Sequence, residues 1–208
     1  MGALKDLPIG PWIHQYNTKI YLETGLGLAT GIMRAMQCEF GFKYLFSIEL
    51  DKDLVDHSTK TFKFDNRIQL LNMKSIDGLQ MLLPQIPLQM PIFAFLDAHF
   101  MASDYHINDR PLNKHSDGEV SIRLPLWEEL QLWKRLRTDN GARDLIVCDD
   151  VFLYSRDDHF EDNVDRLGKD AVPDEFRDYL PKFIDLFKDT HKAKIIYEAQ
   201  GTLVLFPK

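Results

Sequence analysis

The sequence has 208 residues, with 25 Lys and Arg against 32 Asp and Glu, which gives a formal net charge of −7. Hydrophobic residues make up 45% of the chain and charged residues 27%, as in ordinary globular proteins. This length predicts a single domain over residues 1–208. The acidic balance disfavours a protein that binds the phosphates of nucleic acids or an anionic lipid surface.

Short apolar runs alternate with amphipathic stretches along the chain, which is typical of βαβ architecture. Five strands are predicted first, at Lys19–Glu23, Lys43–Leu50, Ile68–Asn72, Pro91–Asp97 and Asp144–Asp149. Two more, Lys194–Ala199 and Thr202–Phe206, are separated by only two residues and predict an antiparallel hairpin. The predicted helices are Thr30–Cys38, Lys52–Phe62, Ile76–Leu83, Leu126–Leu136 and Pro173–Asp189. We expect an α/β fold in which helices cover both faces of a mostly parallel sheet.

A glycine-rich loop follows the first predicted strand, in the run Glu23-Thr24-Gly25-Leu26-Gly27. Gly25 and Gly27 allow a sharp turn and a close approach of the backbone to a ligand, and the next helix presents free N–H groups. A carboxylate at Glu23 suits a cationic or amine-bearing ligand better than a pyrophosphate, which it would repel. Glu49 ends the second strand 24 residues after Gly25, the distance at which a βαβ unit brings an acid to ribose hydroxyls. Loop and acid together predict a nucleoside-bearing cofactor.

Acidic residues also end the fourth and fifth predicted strands. Asp97 closes one apolar run, and Asp149 and Asp150 close the other. Oxygen ligands from two adjacent strand ends suit Mg²⁺. The polar segment at about 101–124 has little periodicity and directly follows the fourth strand. Because ligands bind beyond the carboxyl ends of strands in open α/β sheets, this segment is interpreted as a lid-like insertion.

Several of these motifs, in this order, resemble those of class I S-adenosylmethionine-dependent methyltransferases. Glu23 to Gly27 resembles the first motif of that family, and Glu49 its ribose-binding acid. The likeness extends to small-molecule O-methyltransferases of the macrocin and catechol types, through three further segments: Lys74-Ser75-Ile76-Asp77-Gly78-Leu79, Phe95-Leu96-Asp97-Ala98-His99 and Val147-Cys148-Asp149-Asp150. The resemblance implies a Rossmann-like three-layer sandwich with seven strands in the order 3-2-1-4-5-7-6.

The resemblance also implies a set of site residues. S-adenosylmethionine would be held by Glu23, Thr24, Gly25, Gly27, Glu49, Ser75 and Asp97, and one magnesium ion by Asp97, Asp149 and Asp150. The catalytic residues would be Asp97 and His99. His99 departs from the family pattern, since macrocin-type enzymes carry an aspartate at its position, while Phe100 stands where catechol-type enzymes carry a lysine base. With an unperturbed pKa of about 6.5, a histidine there could accept a proton near neutral pH.

The expected activity is methyl transfer to a hydroxyl of a small molecule, either a sugar or a phenolic compound, with magnesium assisting. One alternative is a metal-independent methyltransferase of the same fold, and another is a non-catalytic module that binds S-adenosylmethionine. Neither nucleic acid nor a membrane is an expected partner, and formation of a homo-oligomer is left open. The Glu128–Glu129 pair is interpreted as an acidic complement to the first turn of its helix.

Cysteine usage and hydropathy point to the cytoplasm. Cys38 and Cys148 are the only cysteines and form no CxxC pattern, so we expect buried thiols in a reducing compartment. The first residues lack the apolar segment of a secretory signal. The longest uninterrupted apolar run, Met90–Leu96, is far shorter than the roughly 20 residues of a membrane span.

Overall fold

The fold rests on one seven-stranded sheet. The computed structural model describes residues 3–38, 41–99, 124–160, 173–198 and 200–208. The strands are β1 Ile20–Thr24, β2 Tyr44–Glu49, β3 Ile68–Asn72, β4 Ile92–Leu96, β5 Leu145–Cys148, β6 His191–Ile196 and β7 Thr202–Pro207. Their order in the sheet is β3-β2-β1-β4-β5-β7-β6, and β1 to β5 are parallel, whereas β7 runs antiparallel to both of its neighbours. The predicted α/β class, strand order and C-terminal antiparallel hairpin are confirmed.

Six α-helices are found in the described residues. They are α1 Ile9–Tyr16, α2 Thr30–Met36, α3 Lys52–Thr61, α4 Ser75–Leu82, α5 Leu126–Leu136 and α6 Leu180–Phe187. Helix α1 was not predicted from the sequence. Ile9 and Ile13 are buried, and Trp12 and Tyr16 pack on Phe206 of β7. Tertiary contacts therefore hold a short segment that contains both glycine and proline, two poor helix formers.

The two faces of the sheet bury two separate apolar clusters. Because side chains alternate along a strand, Leu22 of β1 packs in a cluster with α4, α5 and α6, while Tyr21 packs in the other with α1 and α2. All five residues of β1 and of β4 are buried, as expected for central parallel strands covered on both faces. The arrangement leaves the carboxyl ends of β1, β4 and β5 side by side at one edge of the sheet.

Two predicted elements differ from the observed ones by more than two residues. The predicted helix Pro173–Asp189 is a 3-10 turn at Asp174–Asp178 followed by α6. A continuous helix is interrupted because Pro181 has no N–H to donate and its ring clashes with the preceding turn. The sixth strand begins at His191 and ends at Ile196, three residues earlier than predicted, so the hairpin loop is longer than Gln200 and Gly201.

Within the part of the chain that the structure describes, no helix has the length and apolar character needed to cross a bilayer. Cys38 and Cys148 are both free and buried, as predicted. The insertion predicted at about 101–124 lies outside the described residues except for Leu124, which is buried in the core with α5.

Candidate functional site

The glycine loop joins β1 to α2 and lies against the end of β4. Gly25 has φ 83° and Gly27 has φ 49°, a left-handed backbone that glycine adopts without strain. The Gly25 N–H donates to the carbonyl of Ile48 at 2.9 Å. A Cβ atom on Gly25 would lie 2.3 Å from the backbone oxygen of Asp97, so no other residue fits without moving the backbone. The loop and the predicted catalytic strand end are thus in direct contact.

Glu49 lies beside this loop, as the spacing predicted. Its Oε2 accepts a hydrogen bond from the Gly27 N–H at 3.1 Å, and its Oε1 accepts one from the Asp51 N–H at 2.8 Å. The carboxylate is only partly buried. Two backbone N–H donors therefore hold it beside the loop, while part of the carboxylate stays open to a ligand.

Glu23 is buried under α2, on the face of the sheet to which Tyr21 also points. Its Oε2 accepts from the Tyr21 hydroxyl at 2.5 Å, and its Oε1 accepts from the Ser47 hydroxyl at 2.7 Å. A Cβ atom on Gly31 of α2 would lie 2.3 Å from Glu23 Oε2, which shows how closely the helix covers the carboxyl. Burial raises the pKa of Glu23 to about 8, against the lowering effect of its two hydroxyl partners. The predicted contact of Glu23 with the cofactor stays a prediction.

We expect Glu23 to make stability depend on pH. Because the pKa of Glu23 is raised from 4.5 to about 8 in the folded state, that state binds more protons than the unfolded one between these values. The free energy of unfolding should therefore fall as pH rises from about 4.5 to about 8. The fall is at most about 1.4 kcal/mol for each pH unit in this range. Denaturant unfolding of wild type and Glu23→Gln at pH 6 to 9 measures the effect as a growing advantage of the variant.

Glu198→Gln is the matched control for loss of a carboxylate, since Glu198 is exposed. A pH-independent difference between wild type and Glu23→Gln would contradict the prediction, because it would mean that Glu23 has the same affinity for protons in both states.

The ends of β4 and β5 bring two carboxylates and an imidazole together. Ligand atoms of Asp97, His99 and Asp150 all lie within 4.8 Å of one another. His99 stands between the two acids, with its Nδ1 3.2 Å from Asp97 Oδ1 and its Nε2 2.7 Å from Asp150 Oδ2. When both ring nitrogens donate, the imidazole carries a positive charge. Two carboxylates and one imidazole also form a donor set that a divalent cation accepts, so the residues fit a metal.

Asp149 and Asp150 are adjacent in sequence but face different partners. Asp150 has φ 50°, a left-handed conformation that aspartate tolerates better than most residues, and this turns its carboxylate toward His99. Asp149 is buried, and its Oδ1 accepts a hydrogen bond from the Thr202 hydroxyl of β7 at 3.3 Å. Asp149 is not a member of the three-residue group, and its predicted role as a metal ligand stays a prediction.

Glu129 is a functional candidate that the sequence analysis missed. It is 1% exposed on α5, and neither of its carboxyl oxygens has a hydrogen-bond partner in the described part of the chain. The hydroxyls of Ser75 and Thr24 are its polar neighbours. Burial raises the pKa of Glu129 to about 7, which these hydroxyls partly oppose. Glu128 and Glu129 do lie in the first turn of α5, as predicted, but Glu129 is buried there. The apolar residues around it on α5 were the available signal for that burial.

Comparison with solved structures identifies the fold. A candidate caffeoyl-CoA O-methyltransferase from Staphylococcus aureus is 14% identical, with a TM-score of 0.60 over 96% of this chain and 81% of that one. An O-methyltransferase from Bacillus cereus in complex with S-adenosylhomocysteine is 14% identical, with a TM-score of 0.56 over 96% of this chain and 79% of that one. The O-methyltransferase TomG from Streptomyces achromogenes, in complex with S-adenosylmethionine and involved in tomaymycin synthesis, is 14% identical, with a TM-score of 0.57 over 98% of this chain and 85% of that one.

These likenesses define the class of the fold. The chain has the fold of class I S-adenosylmethionine-dependent methyltransferases, and the solved structures it resembles include small-molecule O-methyltransferases. No protein-family model matches the sequence, and the search among curated proteins found no significant match.

Proposed function

We propose that this protein transfers a methyl group from S-adenosylmethionine to a hydroxyl of a small molecule, a sugar or a phenolic compound, with a divalent cation assisting. The observation that carries the proposal is the Asp97–His99–Asp150 group at the ends of β4 and β5, in contact with a glycine loop in a methyltransferase fold. The resemblance to O-methyltransferases solved with the methyl donor or its product supports this assignment.

Different residues at the carboxyl ends of the strands would bind different parts of the methyl donor. The glycine loop with Thr24, Gly25 and Gly27 would hold the methionine part of the donor, Glu49 the ribose, and Ser75 the adenine. The donor supplies an electrophilic methyl group on a sulfonium sulfur. Alignment and exclusion of water matter most for such a transfer, because the charge of the sulfonium is lost as the methyl moves. Gly25 contributes by letting the loop approach the strand end that carries Asp97.

A proton must leave the acceptor hydroxyl as its oxygen binds the methyl carbon. Asp97, His99 and Asp150 would hold the divalent cation, and a bound cation lowers the pKa of a hydroxyl that it coordinates. A neutral histidine that coordinates a cation has no free nitrogen lone pair, so His99 can receive the proton only when Asp97 and Asp150 hold the cation without it. Since both nitrogens face carboxylates, one of them must first separate from Asp97 or Asp150.

One observation favours the metal-independent alternative. His99 lies between the two carboxylates, where a protonated imidazole would itself balance their charge. In that case the ring occupies the position of the cation, and the same three residues would orient the acceptor hydroxyl without a metal. The two candidates share the fold, the methyl donor and the site, and they differ in the response to a cation.

Calorimetric titration tests the proposal directly. We expect S-adenosylmethionine and S-adenosylhomocysteine to bind wild type in the micromolar range. We also expect a Mg²⁺ or Mn²⁺ binding signal that Asp150→Asn weakens at least about tenfold, because it removes one anionic ligand. Asn is the choice at position 150 because it tolerates the left-handed backbone there. Asp149→Asn tests whether the adjacent buried acid also binds the cation.

The outcomes separate the candidates. Nucleoside binding without any cation signal, together with methyl transfer that resists chelation, would support the metal-independent enzyme. Nucleoside binding with no transfer to sugar or phenolic acceptors would support the non-catalytic binding module. Failure of both nucleosides to bind would overturn the proposed function.

A further inference from the structure

Glu129 is a buried acid whose hydrogen-bonding capacity is unused within the part of the chain that the structure describes. Its side chain is 1% exposed, and both carboxyl oxygens lack a partner among the described residues. An unpaired carboxylate in a protein interior is destabilising by several kcal/mol, and buried polar groups in native proteins are almost always paired. A group that departs from this rule therefore needs a partner that the described residues do not supply.

Glu129 lies next to residues of the candidate site. Helix α5 packs against α4, and this brings the carboxyl next to the hydroxyls of Thr24 at the end of β1 and Ser75 at the start of α4. The Thr24 hydroxyl is itself fully buried and has no hydrogen-bond partner among the described residues. The electrostatic neighbours of the Glu129 carboxyl include Asp97 and His99 at the end of β4. Three of these neighbours, Thr24, Ser75 and Asp97, are residues predicted to hold the methyl donor.

The charges around Glu129 indicate which kind of ligand could compensate its buried carboxylate. Among the described residues, its strongest electrostatic neighbours include no lysine or arginine. The carboxylate of Asp97 raises its pKa further, whereas His99 lowers it. Cys148 of β5 and the buried hydroxyl of Tyr154 also interact with it electrostatically and contribute no positive charge. A ligand that carries a positive charge would compensate the buried acid, whereas a neutral or anionic ligand would leave it unpaired.

We propose that Glu129 binds the positively charged sulfonium region of S-adenosylmethionine and so makes the site prefer the methyl donor over its neutral product, S-adenosylhomocysteine. This inference rests on the proposed function. It assigns to α5 a part in cofactor binding that neither the glycine loop nor the strand-end acids account for. After transfer the sulfur is uncharged, the attraction to Glu129 disappears, and release of the product becomes easier.

The test compares the affinities of the two nucleosides at pH 8, above the pKa of about 7 of Glu129. Titration calorimetry of Glu129→Gln should show S-adenosylmethionine binding weakened at least about tenfold, with the affinity for S-adenosylhomocysteine changed less than about threefold. Glu128→Gln is the matched control, because Glu128 is the neighbouring acid on the same helix and is exposed. It should leave both affinities unchanged.

Each result bears on the inference separately from the proposed function. If both nucleosides bind wild type and Glu129→Gln weakens them equally or not at all, the inference is wrong and the proposed function stands. Loss of Mg²⁺ binding in Glu129→Gln with an unchanged ratio of nucleoside affinities would also overturn it, since Glu129 would then serve the metal. If Glu129→Gln does not fold, Glu129→Asp carries the test, and selective weakening of S-adenosylmethionine binding is again expected.

Discussion

Replacing Arg137 with leucine is expected to lower the free energy of unfolding by about 3–5 kcal/mol, because it leaves Asp144 charged and buried without its partner. Arg137 and Asp144 are 0% and 1% exposed, and Arg137 Nε lies 2.9 Å from Asp144 Oδ2. The same guanidinium donates to the carbonyls of Ile86 at 2.5 Å and Met90 at 3.1 Å. Denaturant unfolding followed by circular dichroism measures the loss.

The geometry of Asp144 explains the size of the effect. Its Oδ1 accepts from the backbone N–H of Ile92 at the start of β4, and its Oδ2 accepts from the Trp133 indole of α5, both at 2.9 Å. Arg135→Leu is the control, because Arg135 lies two residues earlier, in the last turn of α5, and is exposed. The ion pair lies at the amino end of the strands, away from the candidate site. Arg137→Leu should therefore keep the wild-type affinity for S-adenosylhomocysteine wherever it is folded, and equal destabilisation by Arg135→Leu would contradict the prediction.

Gly25→Ala is expected both to destabilise the fold and to abolish nucleoside binding. The left-handed φ of 83° strains an alanine by about 1–2 kcal/mol. The added Cβ would also lie 2.3 Å from the Asp97 oxygen and 2.7 Å from its carbonyl carbon, so the loop must separate from β4 at a further cost of about 1–3 kcal/mol. Thermal unfolding and calorimetric titration of S-adenosylhomocysteine measure the two effects.

Gly141→Ala distinguishes the effect of backbone strain from that of the steric clash at Gly25. Gly141 has φ 88°, close to that of Gly25, but a Cβ atom there would meet nothing within 4 Å. It should therefore show the backbone strain alone and bind the nucleoside normally. Should Gly25→Ala match Gly141→Ala in stability and binding, the contact between the loop and β4 would have no energetic importance.

The order of elements was predictable because periodicity is a local property of the sequence. Five apolar runs separated by amphipathic stretches predicted the parallel strands, and the last two apolar runs of the chain predicted the hairpin. Helix α1 could not be predicted, since its stability comes from the packing of Trp12 and Tyr16 on Phe206, almost 200 residues away in the chain. The break at Pro181 follows from local chemistry and was visible in the sequence.

The site could be predicted where an acidic residue lies at the carboxyl end of a predicted strand. Glu49 lies at the glycine loop, and Asp97 and Asp150 lie together, because parallel strands deliver their carboxyl ends to one edge. The differing directions of Asp149 and Asp150 depend on a single backbone angle, which no spacing reveals. The burial of Glu129 depends on how α5 rotates against α4, and His99 lies between two acids only because β4 and β5 are neighbours.

The position of β7 has a consequence for the kinetics of folding. This strand follows every other strand in the chain, yet it lies inside the sheet, and both β5 and β6 pair with it. Until it docks, the fully buried strand Leu145–Cys148 has an unpaired apolar edge, and β6 has no place in the sheet. Pairing over such sequence separations is slow, and an open apolar edge can recruit another chain. During synthesis the nascent sheet therefore spends its most aggregation-prone interval between the emergence of β5 and the arrival of β7.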